Sequence, residues 1–372
     1  MPVRFSKILR KWFLSIDQVL LFSVFALISV GAWISVALTP SVATKLGFAP
    51  FHFAKLHLLI IPVAILIMLV TSALRVKYIG KLAVVGYFVC LILVICTLFW
   101  GAEIKGARRW LSIFGFSLQP SEFLKPITAV ISAWLISEQY RDHTFPGILL
   151  SIAGIALIIP FLLLQPDVGM TVIIVGTLFA QFFISGLSIS MIVAVTASLA
   201  SAMFGLYFTL PHFADRIDKF FIKNEDTDIY QIQKSIDAFK HGGMFGKNSV
   251  GGGMKAIVPD SHSDFVFSII GEEYGFAMCL IIVVLFATFV TRAMVKVIRS
   301  ANIFTFTAVF GILFQIASQV VINICTTLNL IPTKGMTLPF ISYGGSSMLS
   351  SAVSVGIILA LTKKNNLQQD TL

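Results

Sequence analysis

Charge is what this chain has least of: Asp, Glu, Lys and Arg together make up 12% of its 372 residues. Soluble domains carry about a quarter, so an ordinary water-facing globular domain is excluded. Acidic residues are the scarcer sign, 17 against 27 basic, which leaves a formal net charge of +10. Cysteine is rare as well. Cys90, Cys96, Cys279 and Cys325 all fall inside apolar runs, and no pair has metal-ligand spacing. They are expected to be small buried hydrophobes. Internal repeats and low-complexity tracts are absent too.

What the chain has in quantity is hydrocarbon: 57% of its residues are apolar and the mean hydropathy is +0.94. A bilayer crossing needs about 20 consecutive apolar residues. Ten such runs stand out, at 19–38, 57–74, 82–100, 120–136, 146–164, 168–184, 187–210, 265–290, 303–326 and 338–361. Only helices and closed barrels satisfy their backbone groups in lipid, and runs this long without alternation specify helices. The expected fold is an all-α polytopic membrane protein, one bundle of about ten helices spanning 1–372. The first run is too long for a signal-peptide core and no small-residue cleavage site follows it, so it reads as a retained helix.

Positive charge orients the bundle. Arg4, Lys7, Arg10 and Lys11 lie in segment 1–18, Arg75, Lys77 and Lys81 after the second run, Arg292, Lys296 and Arg299 after the eighth, and Lys363 and Lys364 in segment 362–372. With ten crossings these share one side, which the positive-inside rule makes cytoplasmic. Both termini are then cytoplasmic, and the long connection 211–264 between the seventh and eighth helices is extracytoplasmic. A second basic set, Lys105, Arg108, Arg109, Lys125 and the lysines and arginines of the long connection, falls outside. It suits an anionic lipid-linked ligand as well as it suits anchoring to headgroups.

Within 211–264, residues 231–239 fit a helix with one greasy face lying on the bilayer. Gly242, Gly243, Gly246 and Gly251 to Gly253 then read as tight turns. Gly246-Lys247 is not a phosphate-binding P-loop, because His241 stands where a glycine is required and Asn248 where Ser or Thr is.

The segment closes on Asp264, an ionisable group delivered to the mouth of a membrane bundle, where such groups are functional candidates by default. Capping the following helix and acting as a general base are both open to it. Asp260 and His262 lie beside it, and Glu272 and Glu273, further along, read as bracing groups. Glu122 and Lys125, three apart, can form an ion pair on one helical face. Alternatively, Lys125 with Arg109 binds phosphate oxygens while Glu122 orients the lysine. Gln315, Gln319 and Asn323 recur every four residues as a polar stripe. Gln315 suits interhelical bonding, whereas Gln319 and Asn323 could line a cavity. Ser342, in the Gly- and Ser-rich opening of the last run, and Asp167, in the turn Gln165-Pro166-Asp167-Val168-Gly169, are lesser candidates.

Taken together, several segments resemble the SEDS family of bacterial cell-wall polymerases, to which FtsW and RodA belong. They are Gly106…Arg109-Trp110, Gln119-Pro120-Ser121-Glu122…Lys125, Gln165-Pro166-Asp167…Gly169, Pro259…His262-Ser263-Asp264-Phe265, Gly271-Glu272-Glu273…Gly275 and the block from Pro332 to Ser347. The last block and Gly251 to Lys255 look more like the FtsW branch than the elongation branch. The resemblance implies a peptidoglycan glycosyltransferase of the inner membrane that polymerises lipid II at its outer face during septal synthesis. Asp264 would be the catalytic residue. Arg109, Lys125 and Glu122 would bind substrate, with Gln319, Asn323 and Ser342 as further candidates. No cofactor is firmly implied, although a divalent cation (Mg or Mn) would suit the pyrophosphate. Expected partners are a class B penicillin-binding protein and other division proteins, with no nucleic acid. A lipid II flippase and a RodA-like elongation polymerase are the alternatives.

Overall fold

The computed structural model describes residues 10–363 except 11, 46, 105–106, 114–115, 166, 187–189, 191–196, 199–200, 202–203, 206, 210, 212–213, 215–226, 248–262 and 332–334. Nine of the ten expected runs are helices: α1 (Gln18–Lys45), α2 (His52–Ser72), α3 (Val76–Trp100), α4 (Pro120–Arg141), α5 (Gly147–Leu164), α6 (Val168–Ile184), α8 (Val266–Val297), α9 (Ile303–Thr327) and α10 (Gly345–Leu361). Most of run 187–210 lies outside the described residues, as do Asp260, His262 and Gly251 to Gly253. The chain is an all-α polytopic membrane protein. Phe22, Leu59, Leu66, Ile92 and Leu149, each at least 60% exposed, are placed on its outside as a bilayer requires. All four cysteines are free, and Cys90 and Cys279 are buried.

One element the apolar pattern did not reveal is a small antiparallel meander between α3 and α4. It runs β1 (Ala102–Ile104), β2 (Ala107–Ile113) and β3 (Phe116–Leu118) in the order β1-β2-β3. Strands β1 and β3, three residues each, are too short to show an alternation of their own, and β2, Ala-Arg-Arg-Trp-Leu-Ser-Ile, does not alternate strictly between apolar and polar.

Helix α4 is the axle of the bundle: α3, α5, α6, α9 and α10 all pack on it. Gln181 in the last turn of α6 fastens three of these elements, its side-chain Nε2 donating to Ala129 O of α4 and Thr307 O of α9 at 2.8 and 3.1 Å. Elsewhere α10 lies along α2, and α8 along α1 and α9. At the other end of α8, Asp17 receives Arg292 Nη2 at 2.8 Å and Lys296 Nζ at 3.0 Å.

The expected loop helix is α7 (Thr227–Gly242). Its buried face, including Ser235 and Ala238, meets protein, not lipid as expected. Ser235 Oγ donates to Thr327 O of α9 at 2.8 Å, and the Phe239 ring packs on Phe267 of α8. Gly243 and Gly246 turn the chain, at φ 54° and 83°, and Gly242 and Gly246 also allow close approach to the backbone of α8. Helix α8 breaks at Gly275 (φ 75°, ψ −177°), a conformation open essentially to glycine alone. The two amides freed there, Phe276 N and Ala277 N, donate to Gly243 O and Met244 O at 2.9 and 3.1 Å, and Lys247 N donates to Glu272 O at 3.0 Å. A Cβ on Gly275 would come within 2.4 Å of Gly246 N and Met244 O.

The break folds α8 back on itself. Cys279 Sγ lies 3.9 Å from Phe267 O, although a straight helix would separate twelve residues by about 18 Å. Residues 276–297 alone are about 33 Å long, enough to cross the hydrocarbon core of roughly 30 Å. The preceding arm, 266–274, is an extra limb tucked inside the protein and buried around nearly its whole circumference. Asp264 stands at the start of that limb.

Candidate active site

Two prolines shape the head of α4. Pro120 occupies its first turn, where a missing N–H costs nothing. Pro126 sits inside the helix and has no N–H for the Glu122 carbonyl four residues back. Ser350 of α10 fills that gap, its Oγ donating to Glu122 O at 2.7 Å. The helix then presents Glu122 and Lys125 to the bundle interior, where Lys125 Nζ meets Glu122 Oε2 at 2.7 Å. Both are buried, at 8% and 6% exposure, so the charges meet in a medium where an unpaired one would be costly.

From Lys125 a line of hydrogen bonds runs to the segment ahead of α10. Lys125 Nζ donates to Gln319 Oε1 at 2.7 Å, and Gln319 Nε2 donates to Thr337 O at 2.8 Å. Thr337 Oγ1 in turn donates to Ser347 Oγ at 2.7 Å. Gln315, one turn earlier on α9, donates Nε2 to Lys125 O at 2.7 Å, the interhelical role expected of it. The stripe on α9 is spaced by one turn because four residues return to the same helical face.

Asn323, the next residue of that stripe, reaches Asp264. Its Nδ2 donates to Asp264 O at 2.9 Å and to Met336 O at 2.6 Å. Ser342 holds the neighbouring peptide: its Oγ donates to Ser263 O at 2.6 Å and accepts from Leu338 N at 2.8 Å. Asp264 is thereby gripped through the main chain from two sides. The cap position of α8 falls to Phe265, so neither Ser263 nor Asp264 takes it. Gly335 lies opposite the carboxylate, at φ 59°, and a Cβ there would stand 3.3 Å from Asp264 Oδ2. Asp264 keeps partial exposure while residues 265–273 behind it are buried.

The last apolar run does not begin as helix. Residues 338–344 form an irregular strap turned by Phe340 at φ 63°, and α10 starts only at Gly345. Non-helical backbone at membrane depth is tolerated where protein buries it. Here that strap supplies Ser342, and the residues just before it, Met336 and Thr337, supply carbonyls used by Asn323 and Gln319.

Arg109 belongs to an adjoining cluster. Alternation along β2 sends Arg108 and Arg109 to opposite faces. Arg108 pairs with exposed Glu103 across the β1–β2 ladder at 3.2 Å. Arg109 turns inward, its Nε donating to Gln165 O at 2.8 Å and its Nη1 lying 4.0 Å from Asp167 Oδ1. Asp167 caps α6 by accepting from Met170 N at 3.3 Å, and its Oδ2 accepts from Gln119 Nε2, also at 3.3 Å. Gln119 N completes the link by donating to Ser346 Oγ of α10 at 2.8 Å.

The structure therefore joins Glu122, Lys125, Gln319, Asn323, Ser342 and Asp264 through α9 and residues 335–342, and sets Arg109 beside them at the head of α4. Gln319 and Asn323, at 4% and 1% exposure, act as bridges in this structure, not as the cavity lining expected of them. Ser350, Thr337 and Gln119 were not singled out from sequence. Pro126 was the available signal for Ser350, because it announces an unserved carbonyl at Glu122.

Comparison with known proteins follows the same outline. The family model described as "Cell cycle protein", covering FtsW, RodA and SpoVE, matches residues 17–367. A Caulobacter vibrioides protein named "Probable peptidoglycan glycosyltransferase FtsW" is 37% identical over 95% of this chain and 90% of its own length. A Trichlorobacter lovleyi protein of the same name is 34% identical over 96% of each. Among solved structures, a chain from work titled "Structural coordination of polymerization and crosslinking by a peptidoglycan synthase complex" superposes with TM-score 0.77 at 24% identity, covering 96% of this chain and all of that one. The rod shape determining protein RodA of Thermus thermophilus superposes with TM-score 0.68 at 23% identity, over 94% and 97% of the two chains. Those two likenesses concern the fold. The chain belongs to the FtsW, RodA and SpoVE family of cell cycle proteins.

Proposed function

We propose that this chain is a peptidoglycan glycosyltransferase that polymerises lipid II at the outer face of the cytoplasmic membrane during septal wall synthesis. The observation that carries this is the placement of Asp264. It is a partly exposed carboxylate fixed through its own and its neighbour's main chain by Asn323 and Ser342, with a side-chain-free glycine opposite. Relatives over nearly the whole chain bear the peptidoglycan glycosyltransferase name.

In the reaction, the 4-hydroxyl oxygen of the acceptor sugar attacks the anomeric carbon of the donor. A new C–O bond forms, the bond to the pyrophosphate oxygen breaks with its electron pair, and the hydroxyl proton passes to Asp264. One displacement inverts the anomeric centre and needs no second carboxylate as nucleophile. Pyrophosphate is a good leaving group, so the protein's remaining task is to neutralise its charge. Arg109 and Lys125 are the cations for this, each exchanging its present carboxylate partner for phosphate oxygens. Among the described residues no three His, Cys, Asp or Glu side chains converge. A divalent cation bound with the pyrophosphate, as magnesium commonly is with phosphates, would share in that neutralisation.

The orientation with both termini cytoplasmic, a septal location, and pairing with a class B penicillin-binding protein and other division proteins belong to the same proposal, on the strength of the FtsW-named relatives. Purified protein supplied with lipid II is expected to form glycan strands, and Asp264→Asn to lose about 10²–10⁴ of the rate, the usual share of a general base. Full polymerisation by that variant would remove Asp264 from its role. Lipid II translocation without polymer would make the protein a flippase.

A further inference from the structure

Helix α1 supplies none of the residues joined at the site, yet it meets the strap at Gly31. This residue, the only glycine of α1, is buried near the middle of the helix. A Cβ there would overlap Phe340 O and come within 3.0 Å of Ile341 Cα and 3.1 Å of Phe340 C. All three are backbone atoms, so no side chain can swing aside to make room. Glycine inside a helix is unfavourable relative to alanine, and its use is to let another backbone come close. Here the backbone let in is the left-handed turn of the strap.

That turn cannot yield on its own. Ile341 N and Ser342 N both donate to Leu338 O, at 3.2 and 3.0 Å, and Leu338 N donates back to Ser342 Oγ at 2.8 Å. Residues 338–342 thus form one closed unit, and Leu338, Phe340, Ile341 and Ser342 are at most 3% exposed. A bulky residue at positive φ is an outlier, kept only where the surrounding structure over-determines it. The α1 backbone at Gly31 is part of that surrounding for Phe340. From the same unit, Ser342 Oγ donates to Ser263 O, the carbonyl of the peptide bond to Asp264, at 2.6 Å. The far end of the short limb is tied to α1 as well. Trp33 packs on Tyr274, the residue before the break, with ring centroids 4.6 Å apart. Strap and limb are both referred to one helix. We propose that Gly31 is a positioning residue: the notch it leaves in α1 sets the depth of the strap and, through Ser342, the place of the Asp264 carboxylate. This rests on the glycosyltransferase function proposed above.

The test compares Gly31→Ala with Gly356→Ala in the full-length protein, both assayed on lipid II in detergent. Gly356 is a similarly crowded glycine, where a Cβ would overlap Thr71 Oγ1 and stand 2.8 Å from Met68 O of α2. It lies about 17 Å along α10 from the end that follows the strap. Gly31→Ala is expected to lower kcat at least tenfold with KM unchanged, since a misplacement of about 1 Å can cost about 10²-fold. Gly356→Ala should lower the melting midpoint comparably and keep the wild-type kcat. The decisive background is Asp264→Asn. Because groups that work as one unit are not additive, Gly31→Ala should bring no further loss there, and a loss that multiplies overturns the proposal. Unchanged kcat in Gly31→Ala overturns it too, as does an equal fall in Gly356→Ala. Should Gly31→Ala not fold, Phe340→Gly carries the test, because it frees the turn from the left-handed region without adding bulk. The same fall in kcat is expected, and a wild-type kcat overturns the proposal. If wild-type protein forms no glycan strands, the proposed function falls and this role of Gly31 with it. Strands from wild type with unchanged turnover in Gly31→Ala sink the role of Gly31 alone.

Discussion

The side-chain amide of Asn323 donates to the main-chain carbonyl of Asp264 across 2.9 Å, and to that of Met336 across 2.6 Å. One nitrogen thus ties the head of α8 to the segment leading into the strap before α10. Asn323→Ala strands both carbonyls, each at a cost of about 1–3 kcal/mol when buried. Turnover is expected to fall at least tenfold, because 1.36 kcal/mol of misplacement suffices for that. The loss should appear in kcat with little change in KM, whereas a residue that merely binds substrate would move KM.

Arg108 and Arg109 are adjacent in sequence and unequal in consequence. Arg108→Ala removes an exposed ion pair with Glu103, a kind worth little, and activity should stay within about fivefold of wild type, since exposed pairs contribute at most about 1 kcal/mol. Arg109→Ala removes an inward guanidinium bonded to Gln165 and close to Asp167. Here polymerisation should fall at least tenfold, in line with the 1.5–3 kcal/mol typical of hydrogen bonds to charged groups. Steady-state assays of the two variants side by side decide the matter.

Glu122 and Lys125 separate structure from chemistry. Deleting one partner of a buried pair typically costs about 3–5 kcal/mol, so Glu122→Gln and Lys125→Met should each lower the melting midpoint in detergent. The double variant should recover much of that loss, because neither charge is left alone. If Lys125 also neutralises pyrophosphate, the double variant is stable and inactive. Recovery of both properties would reduce the pair to a brace.

At the opposite end, Asp17 gives a pH signature independent of catalysis. Burial pushes its carboxyl up, but hydrogen bonds from Arg292 and Lys296 and from Leu20 N outweigh this and bring it to about 2, against an ordinary 3.8. A group lowered on folding stabilises above its unfolded value. The contribution is therefore complete above pH 3.8 and is lost as pH falls through 2. Thermal unfolding between pH 5 and 2 should show wild type and Asp17→Asn converging on the acid side. Parallel curves would rule out the linkage.

Much of this was legible in the chain. Nine helices follow from the length of their apolar runs, because a long run without alternation can satisfy its backbone groups in a bilayer only as a helix. The pairing of Glu122 with Lys125 follows from their spacing, and Asp264 stood out as a charge that hydrocarbon would not tolerate idly. The rest depended on distant partners. The fold-back of α8 leaves no mark on hydrophobicity, only a glycine at 275 whose φ of 75° cannot be read from composition. Run 338–361 looks continuous because Phe340 is as apolar in its left-handed turn as it would be in a helix. The bridging roles of Gln319 and Asn323 depend on where a strap over ten residues downstream comes to rest, which periodicity alone does not encode.

The hinge at Gly275 divides α8 into parts that answer to different masters. The long limb need only match membrane thickness, so its composition can drift as long as it stays greasy and about 33 Å long. The short limb sets the depth and azimuth of the carboxylate, and one inserted residue would swing Asp264 by about 100° and raise it by about 1.5 Å. Length changes should therefore be tolerated on one side of this glycine and ruinous on the other.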